Sequence, residues 1–198
     1  MNIQTFQLGP LNTNCYLVTA NDDDTCLVID PGGSADTVSA EIVRQNLKLQ
    51  AIAATHGHYD HILGANELQL AFAVPFLVHQ QDQFLVKEIR QRAQHWTQRE
   101  IVEQPPEMSQ FLTDGQELSL GSQKLEVMHT PGHTPGGVCL VNGQEKIVFT
   151  GDTVFADGVG RTDLSYSSAA DLKQSLKKIR SQLQGFHAYP GHGQDFYL

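Results

Sequence analysis

Residues 56–61 of this 198-residue chain read His56-Gly57-His58-Tyr59-Asp60-His61, three imidazoles and a carboxylate in six positions. With residues drawn independently at their overall frequencies, such a stretch arises in roughly one such chain per thousand, so the crowding calls for a chemical cause. Neutral imidazole and carboxylate bind divalent zinc or iron well, and alternate residues leaving a strand end can face one ion while the next pair faces another. A fold that hosts this box must end a strand at it and bring further ligands towards it. The β-like run Ala51 to Thr55 supplies the strand.

Three more polar groups share that context. His133 follows the apolar run Gln123 to His129 through Thr130-Pro131-Gly132, Asp152 follows Glu145 to Thr150 through Gly151, and His192 follows Phe186 to Tyr189 through Pro190-Gly191. Each sits beside a glycine that permits close backbone approach. Ligands at several strand ends converge when the strands share one edge of a sheet.

The remaining pattern fits such a sheet. Asn14 to Val18 and Cys26 to Asp30 read as a hairpin around Asn21-Asp22-Asp23-Asp24, stopped by Pro31-Gly32-Gly33. Val38, Ile42 and Val43 predict a helix from Ala35 towards Leu49 with Ser34 as its cap, a second helix is expected at about Ile62 to Phe72, and a third through Phe84, Leu85, Ile89 and Trp96. Pro75 to Val78 is a short apolar stretch between the last two, and Pro105-Pro106 makes residues 103–109 a loop. Gln116 to Leu120, Gln123 to His129, Val138 to Val141 and Glu145 to Thr150 read as strands, the last two joined by a tight Asn142-Gly143 turn. Ala169, Leu172, Leu176, Ile179 and Leu183 step by three and four behind a Ser168/Asp171 capping pattern. Strands, helices, strands and a helix again suggest sheets inside and helices outside.

Composition narrows the partners. The formal net charge is −9, with no basic run, which disfavours nucleic acid and an anionic membrane surface. Cys15, Cys26 and Cys139 are too few and too scattered for a disulfide framework and read as reduced, buried residues. The first residues lack the basic and apolar regions of a secretory signal, and no apolar run approaches membrane-spanning length, so a cytoplasmic protein is expected.

Taken together, the boxes Asn14-Cys15-Tyr16-Leu17-Val18, Asp30-Pro31-Gly32-Gly33, Thr55 to His61, Thr130-Pro131-Gly132-His133-Thr134-Pro135-Gly136, Thr150-Gly151-Asp152-Thr153 and Pro190-Gly191-His192 span nearly the whole chain. In them the chain resembles the metallo-β-lactamase-fold hydrolases, and within these the glyoxalase II (hydroxyacylglutathione hydrolase)-like branch. The resemblance implies a four-layer αββα sandwich, an α/β fold. It also implies that His56, His58 and His133 hold one metal, that Asp60, His61 and His192 hold a second, and that Asp152 bridges them. The cofactors would be two divalent ions, zinc first and iron or manganese as alternatives. Asp60 and Asp152 would position a bridging hydroxide that attacks the carbonyl of a small 2-hydroxyacyl thioester, such as a hydroxyacylglutathione.

Two details narrow the branch. His61 stands where the β-lactamases of this fold more often have Arg, and no Cys stands at a second-site position, which disfavours drug hydrolysis. The run Gly151 to Asp163 looks like the segment that places a basic residue beside the metals, here Arg161, set either to grip a substrate carboxylate or to make a structural ion pair. Tyr166 and the region from Trp96 to Pro106 are further candidates for the pocket wall. Full-length glyoxalase II enzymes add a helical C-terminal domain that supplies much of the glutathione contact, whereas six residues follow His192 here. The expectation is therefore one short domain, 1–198, acting on a small, anionic acyl thioester, with the thiol itself open. An oxidoreductase reading stands beside it: persulfide dioxygenases share these motifs but use one iron on the equivalents of His56, His133 and Asp152. His79, His95, His129 and His187 lack partner spacing and are expected to be structural or on the surface.

Overall fold

The computed structural model describes residues 1–198, which form two six-stranded sheets packed face to face. The elements in the first half are β1 (Asn2–Leu8), β2 (Thr13–Thr19), β3 (Thr25–Ile29), α1 (Ala35–Arg44), β4 (Lys48–Ala53), α2 (Tyr59–Ile62), α3 (Ala65–Phe72), β5 (Phe76–His79), α4 (Gln83–Lys87), α5 (Ile89–Thr97) and β6 (Gln110–Leu112). In the second half they are β7 (Glu117–Leu120), β8 (Gln123–His129), β9 (Val138–Asn142), β10 (Ile147–Gly151), β11 (Val154–Phe155), β12 (Gly158–Val159), α6 (Ala169–Gln182), β13 (His187–Pro190) and β14 (Phe196–Tyr197). The first sheet runs β1-β2-β3-β4-β5-β6 and the second β14-β13-β10-β9-β8-β7, with β11 and β12 forming a separate small ribbon.

Strand periodicity builds the layers. In β2, Cys15 and Leu17 point to the core under the helices of the first half, while Tyr16 and Val18 point between the sheets. In β9, Val138 and Leu140 face the inter-sheet core, while Cys139 and Val141 face α6. Side chains two apart share a face, so a strand covered on both sides must be apolar throughout. This explains why β2 and β3 read as unbroken hydrophobic runs. The central core joins Leu27, Ile29, Ala53 and Leu77 of one sheet to Leu125, Val127, Leu140 and Phe149 of the other. Helices on both outer faces complete the αββα sandwich.

Strands β3, β4, β5 and β6 run parallel to one another, so their carboxyl ends share one edge. In the second sheet β10 is parallel to β13, and β8 and β10 are each antiparallel to β9, which puts the carboxyl ends of β8, β10 and β13 on one edge too. Open sheets of this kind bind ligands outside those ends. The two edges are stitched together. Val138 N–H donates to Thr55 O at 2.8 Å, and the Pro190 carbonyl accepts from Asn14 Nδ2 at 3.0 Å and the Tyr16 hydroxyl at 2.6 Å.

Several local expectations change. Helix α1 stops at Arg44 rather than continuing to Leu49, because Asn46 turns left-handed (φ 54°) and Lys48 begins β4; Val43 faces solvent. Ser34 sits at the start of α1 in a left-handed conformation (φ 43°) and its side chain caps nothing. The Ile62–Phe72 helix divides around Leu63-Gly64, and the third helix divides at Glu88 into α4 and α5. The β9–β10 turn is longer than two residues, with the positive φ at Lys146, while Asn142 Oδ1 accepts from Glu145 N–H at 2.8 Å. Ser168 does cap α6, accepting from Asp171 N–H at 3.2 Å, but its own N–H goes to Gly132 O rather than to Asp171. Strands β1, β6 and β14, all short or at the rims, carry too weak an alternation to be read from sequence. No helix is long and apolar enough to cross a membrane.

Candidate metal centre

Every polar group placed past a strand end arrives at the shared edge. His56, His58, Asp60 and His61 follow β4 and enter α2, His133 follows β8, Asp152 follows β10, and His192 follows β13. His58 Nδ1 lies 3.0 Å from both His56 Nε2 and His133 Nε2. On the other side, His192 Nε2 lies 3.3 Å from His61 Nε2 and 3.3 Å from Asp60 Oδ2. Asp152 stands between these sets, with Oδ1 3.4 Å from His61 Nε2 and Oδ2 3.5 Å from His133 Nε2 and 3.8 Å from His192 Nε2. Three triples bring their ligand atoms within 4.8 Å of one another: His56/His58/His133, Asp60/His61/His192 and His56/His61/Asp152. The third shows that His56 also neighbours the second set.

The outer nitrogens decide which atoms face inwards. His61 Nδ1–H donates to Asp30 Oδ2 at 3.0 Å, His133 Nδ1–H to Arg161 O at 3.0 Å and His192 Nδ1–H to Leu11 O at 3.2 Å, and His58 Nε2 shares a hydrogen bond of 2.8 Å with the Tyr166 hydroxyl. Thr55 Oγ1 donates to Asp30 Oδ2 at 2.6 Å and so accepts from His56 Nδ1–H at 3.2 Å. All five rings therefore turn their other nitrogen towards a common centre, the arrangement by which outer partners fix metal-binding imidazoles. Two lone pairs 3.0 Å apart repel unless a proton or a cation lies between them. Asp152 Oδ1 is buried and has no hydrogen-bond partner. The donor set and this orphaned oxygen fit divalent cations.

Electrostatics divides the centre in two. Burial first, then the other imidazoles, pushes His56 well below its usual value, and burial with His133 brings His58 down to about 3. Burial lowers His61 as well, but Asp152, Asp60 and Asp30 outweigh it and raise the ring to about 10. Burial works against ionisation of Asp60, yet His61, His192 and His58 hold its carboxyl below the ordinary range. Without a metal, His56 and His58 are thus neutral imidazoles ready to ligate, and the carboxylate-rich second set draws positive charge.

Glycines make the close approach possible. A Cβ on Gly191 would lie 2.3 Å from Asp152 Oδ1 and 2.6 Å from His61 Cε1, in a backbone conformation that imposes no strain of its own. Gly191→Ala removes no ligand, but it displaces two of them. Metal-dependent turnover is expected to fall about 100-fold or more, since misplacement near 1 Å can cost that much. Comparison of kcat/KM and of metal content with wild type checks it.

Above the centre lies a cavity of about 310 Å³ whose walls include Leu11, Arg92, Trp96, Arg161, Leu164 and Tyr166. Tyr166 and Trp96 reach the pocket as the sequence suggested; Pro105 instead lines a separate groove with Gln69 and Glu107. Arg161 lines the pocket while paired with Asp163 at 2.7 Å. The other histidines stay outside: His79 stacks on His129 at 4.2 Å, His187 pairs with Asp195, and His95 lies edge-on to Trp96. Sequence reading missed Asp82, Arg92 and the role of Asp30. Asp82 lies past the end of β5, the signal that marked the ligands, and its buried carboxylate accepts from Gly57 N at 2.8 Å, Thr134 Oγ1 at 2.7 Å and Gly136 N at 2.6 Å.

The profile of the metallo-beta-lactamase superfamily matches residues 8–192. The chain belongs to that superfamily. Its relatives there include the hydroxyacylglutathione hydrolase GloC of Haemophilus influenzae, 33% identical over 92% of this chain and 84% of that protein. Among solved structures, BLEG-1, described as a B3 metallo-beta-lactamase, superposes with a TM-score of 0.90 at 30% identity, covering 99% of this chain and 94% of that one. A di-iron-bound form of TTHA1623 superposes at 0.89 and 32%, covering 98% and 94%. This metallo-beta-lactamase superfamily member thus presents a His/Asp cluster in a fold that suggests a small-molecule substrate.

Proposed function

We propose that this chain is a metal-dependent hydrolase of the glyoxalase II-like branch, acting as a single domain over residues 1–198 on a small 2-hydroxyacyl thioester such as a hydroxyacylglutathione. The observation that carries the reading is the set of five imidazoles with their outer nitrogens bonded and their inner ones convergent on Asp152. His56, His58 and His133 would hold one ion and Asp60, His61 and His192 the other, with Asp152 shared. Bound there, divalent ions would supply Lewis acidity at the scissile carbonyl and hydroxide near neutral pH. Asp60, fixed by the Thr13 hydroxyl at 3.2 Å, and Asp152 orient the attacking oxygen. The Tyr166 hydroxyl, 2.8 Å from His58 Nε2, stands in the pocket wall where it can meet the substrate. Leu11, Trp96 and Leu164 give the cavity apolar wall, and a thiolate departs without a strong general acid. The similarity to GloC supports the thioester reading.

Two other readings have specific support. The similarity to BLEG-1 favours β-lactam hydrolysis, against which His61 was read above, and the di-iron form of TTHA1623 favours iron, the metal of the persulfide dioxygenase reading, although as two ions rather than one. One experiment separates them. Protein purified without added metal is assayed for metal content, then stripped and reloaded with zinc or iron. S-lactoylglutathione hydrolysis that disappears on stripping and returns with two ions per chain is the expected result. Oxygen uptake with glutathione persulfide on one iron, or nitrocefin turnover without thioester turnover, overturns it.

A further inference from the structure

The pocket above the metal centre is walled by two segments of opposite sequence origin, helix α5 and the loop after β12. They meet through two crossed pairs. Arg92 of α5 places Cζ 5.2 Å from the Tyr166 ring of the loop and 5.6 Å from Phe84, while Arg161 of the loop places Cζ 5.9 Å from the Trp96 ring of α5. Each guanidinium is also paired within its own segment, Arg92 to Glu88 at 2.6 Å and Arg161 to Asp163 at 2.7 Å. The cations line the cavity, but Glu88 and Asp163 do not. Both carboxylates stand on the rim, with side chains 47% and 67% exposed. Exposed pairs of this kind contribute little, so a ligand carboxylate can replace Glu88 or Asp163 at low cost. The aromatic faces meanwhile keep the guanidinium planes oriented whether or not the ion pairs are made.

The chain's charge is −9, so two arginines facing one cavity stand against the overall field. The reacting carbonyl has to reach the floor at Asp152, where a small acyl group is accommodated. What extends to the rim is then the thiol half of the substrate. We propose that Arg92, with Trp96 beside it, is a specificity-determining residue that receives a carboxylate on the thiol half, so that the pocket selects anionic thioesters over neutral ones. The proposal rests on the thioester reading for which half of the substrate lies at the rim. Helix α5 supplies this recognition from within the domain, and Tyr166 links it to His58 at the metal centre.

The test compares S-lactoylglutathione with its diethyl ester, in which both carboxylates are masked, on metal-loaded wild type, Arg92→Met and Arg92→Lys. Wild type is expected to prefer the free acid about 10- to 100-fold in kcat/KM, mainly through KM, the span of a charge-assisted hydrogen bond. Arg92→Met should lose that preference because the free acid loses far more than the diester, Arg92→Lys should restore part of it, and added salt should weaken it in wild type. Calorimetric binding of S-butylglutathione and its diethyl ester gives a readout independent of turnover, and the same pattern is expected. Equal losses on both substrates in Arg92→Met, or no preference in wild type, overturn the proposal. If neither thioester is hydrolysed but S-butylglutathione binds with an Arg92-dependent preference, the thioester reading falls and the anion site stands. If there is neither turnover nor binding, both fall.

Discussion

Asp152→Ala is expected to abolish hydrolysis, with kcat/KM reduced by at least about 10³-fold, beyond the 10- to 100-fold typical of outer-shell partners. Asp152 is the one carboxylate that reaches both halves of the centre, with Oδ1 towards His61 and Oδ2 towards His133 and His192. Its removal leaves both halves one ligand short, and metal content should fall towards zero. His58→Ala takes a ligand only from the first set, where His58 Nδ1 faces His56 and His133, so it should lose one ion and spare part of the second. Elemental analysis beside steady-state assays of both variants makes the check. Full thioesterase activity in Asp152→Ala would sink the bridging role.

A second large effect is expected at a residue that touches no metal. Asp82 is fully buried, and its carboxylate holds Gly57, between two ligand histidines, to Thr134 and Gly136, next to His133. Asp82→Ala leaves two backbone N–H groups and a hydroxyl without partners. The site is tight, for a Cβ on Gly136 would lie 2.7 Å from the Asp82 carboxylate. Each buried unsatisfied donor costs about 1–3 kcal/mol. Burial pushes the Asp82 carboxyl above its ordinary range, so removing it also relieves a desolvated charge and offsets part of that cost. A net loss of roughly 3 kcal/mol is expected, or a Tm lower by about 6–12 °C for a chain of this size. Affinity at the first set should fall about 10- to 100-fold while the second set holds, because only His56, His58 and His133 are anchored through Asp82. Asp82→Asn keeps the shape but turns an NH2 towards one of the donors, so it should be intermediate. Chemical denaturation and metal titration of the stripped protein measure both effects; unchanged metal affinity in a destabilised Asp82→Ala would reduce Asp82 to a packing role.

How much of this was legible before folding depended on the range of the interaction. The covered strands were legible because burial on both faces leaves an unbroken apolar run, as in Cys26 to Ile29. The seven candidate ligands were legible because His56, His58, Asp60 and His61 crowd into one six-residue box, and His133, Asp152 and His192 each sit beside a glycine just past such a run. Ser34 was misread because its left-handed backbone is set by where the chain must go next, whereas the end of α1 carried a signal that went unread, Asn46, a residue that tolerates left-handed backbone past a helix end. Rim strands such as β1 were missed because both faces are only partly covered, Phe6 and Leu8 on one core and Ile3 on the other, so neither face is consistently apolar.

The sequence by itself determined which residues could ligate a metal and that strands would carry them, since both follow from residue type and short spacing. The tertiary structure alone decided what surrounds them: Asp30 beneath His61 and Thr55, Asp82 between two ligand loops, and Arg92 crossing from α5 to Tyr166. Those contacts join segments far apart in the chain, and their energies arise from desolvation and mutual geometry that exist only once the two sheets have closed on each other.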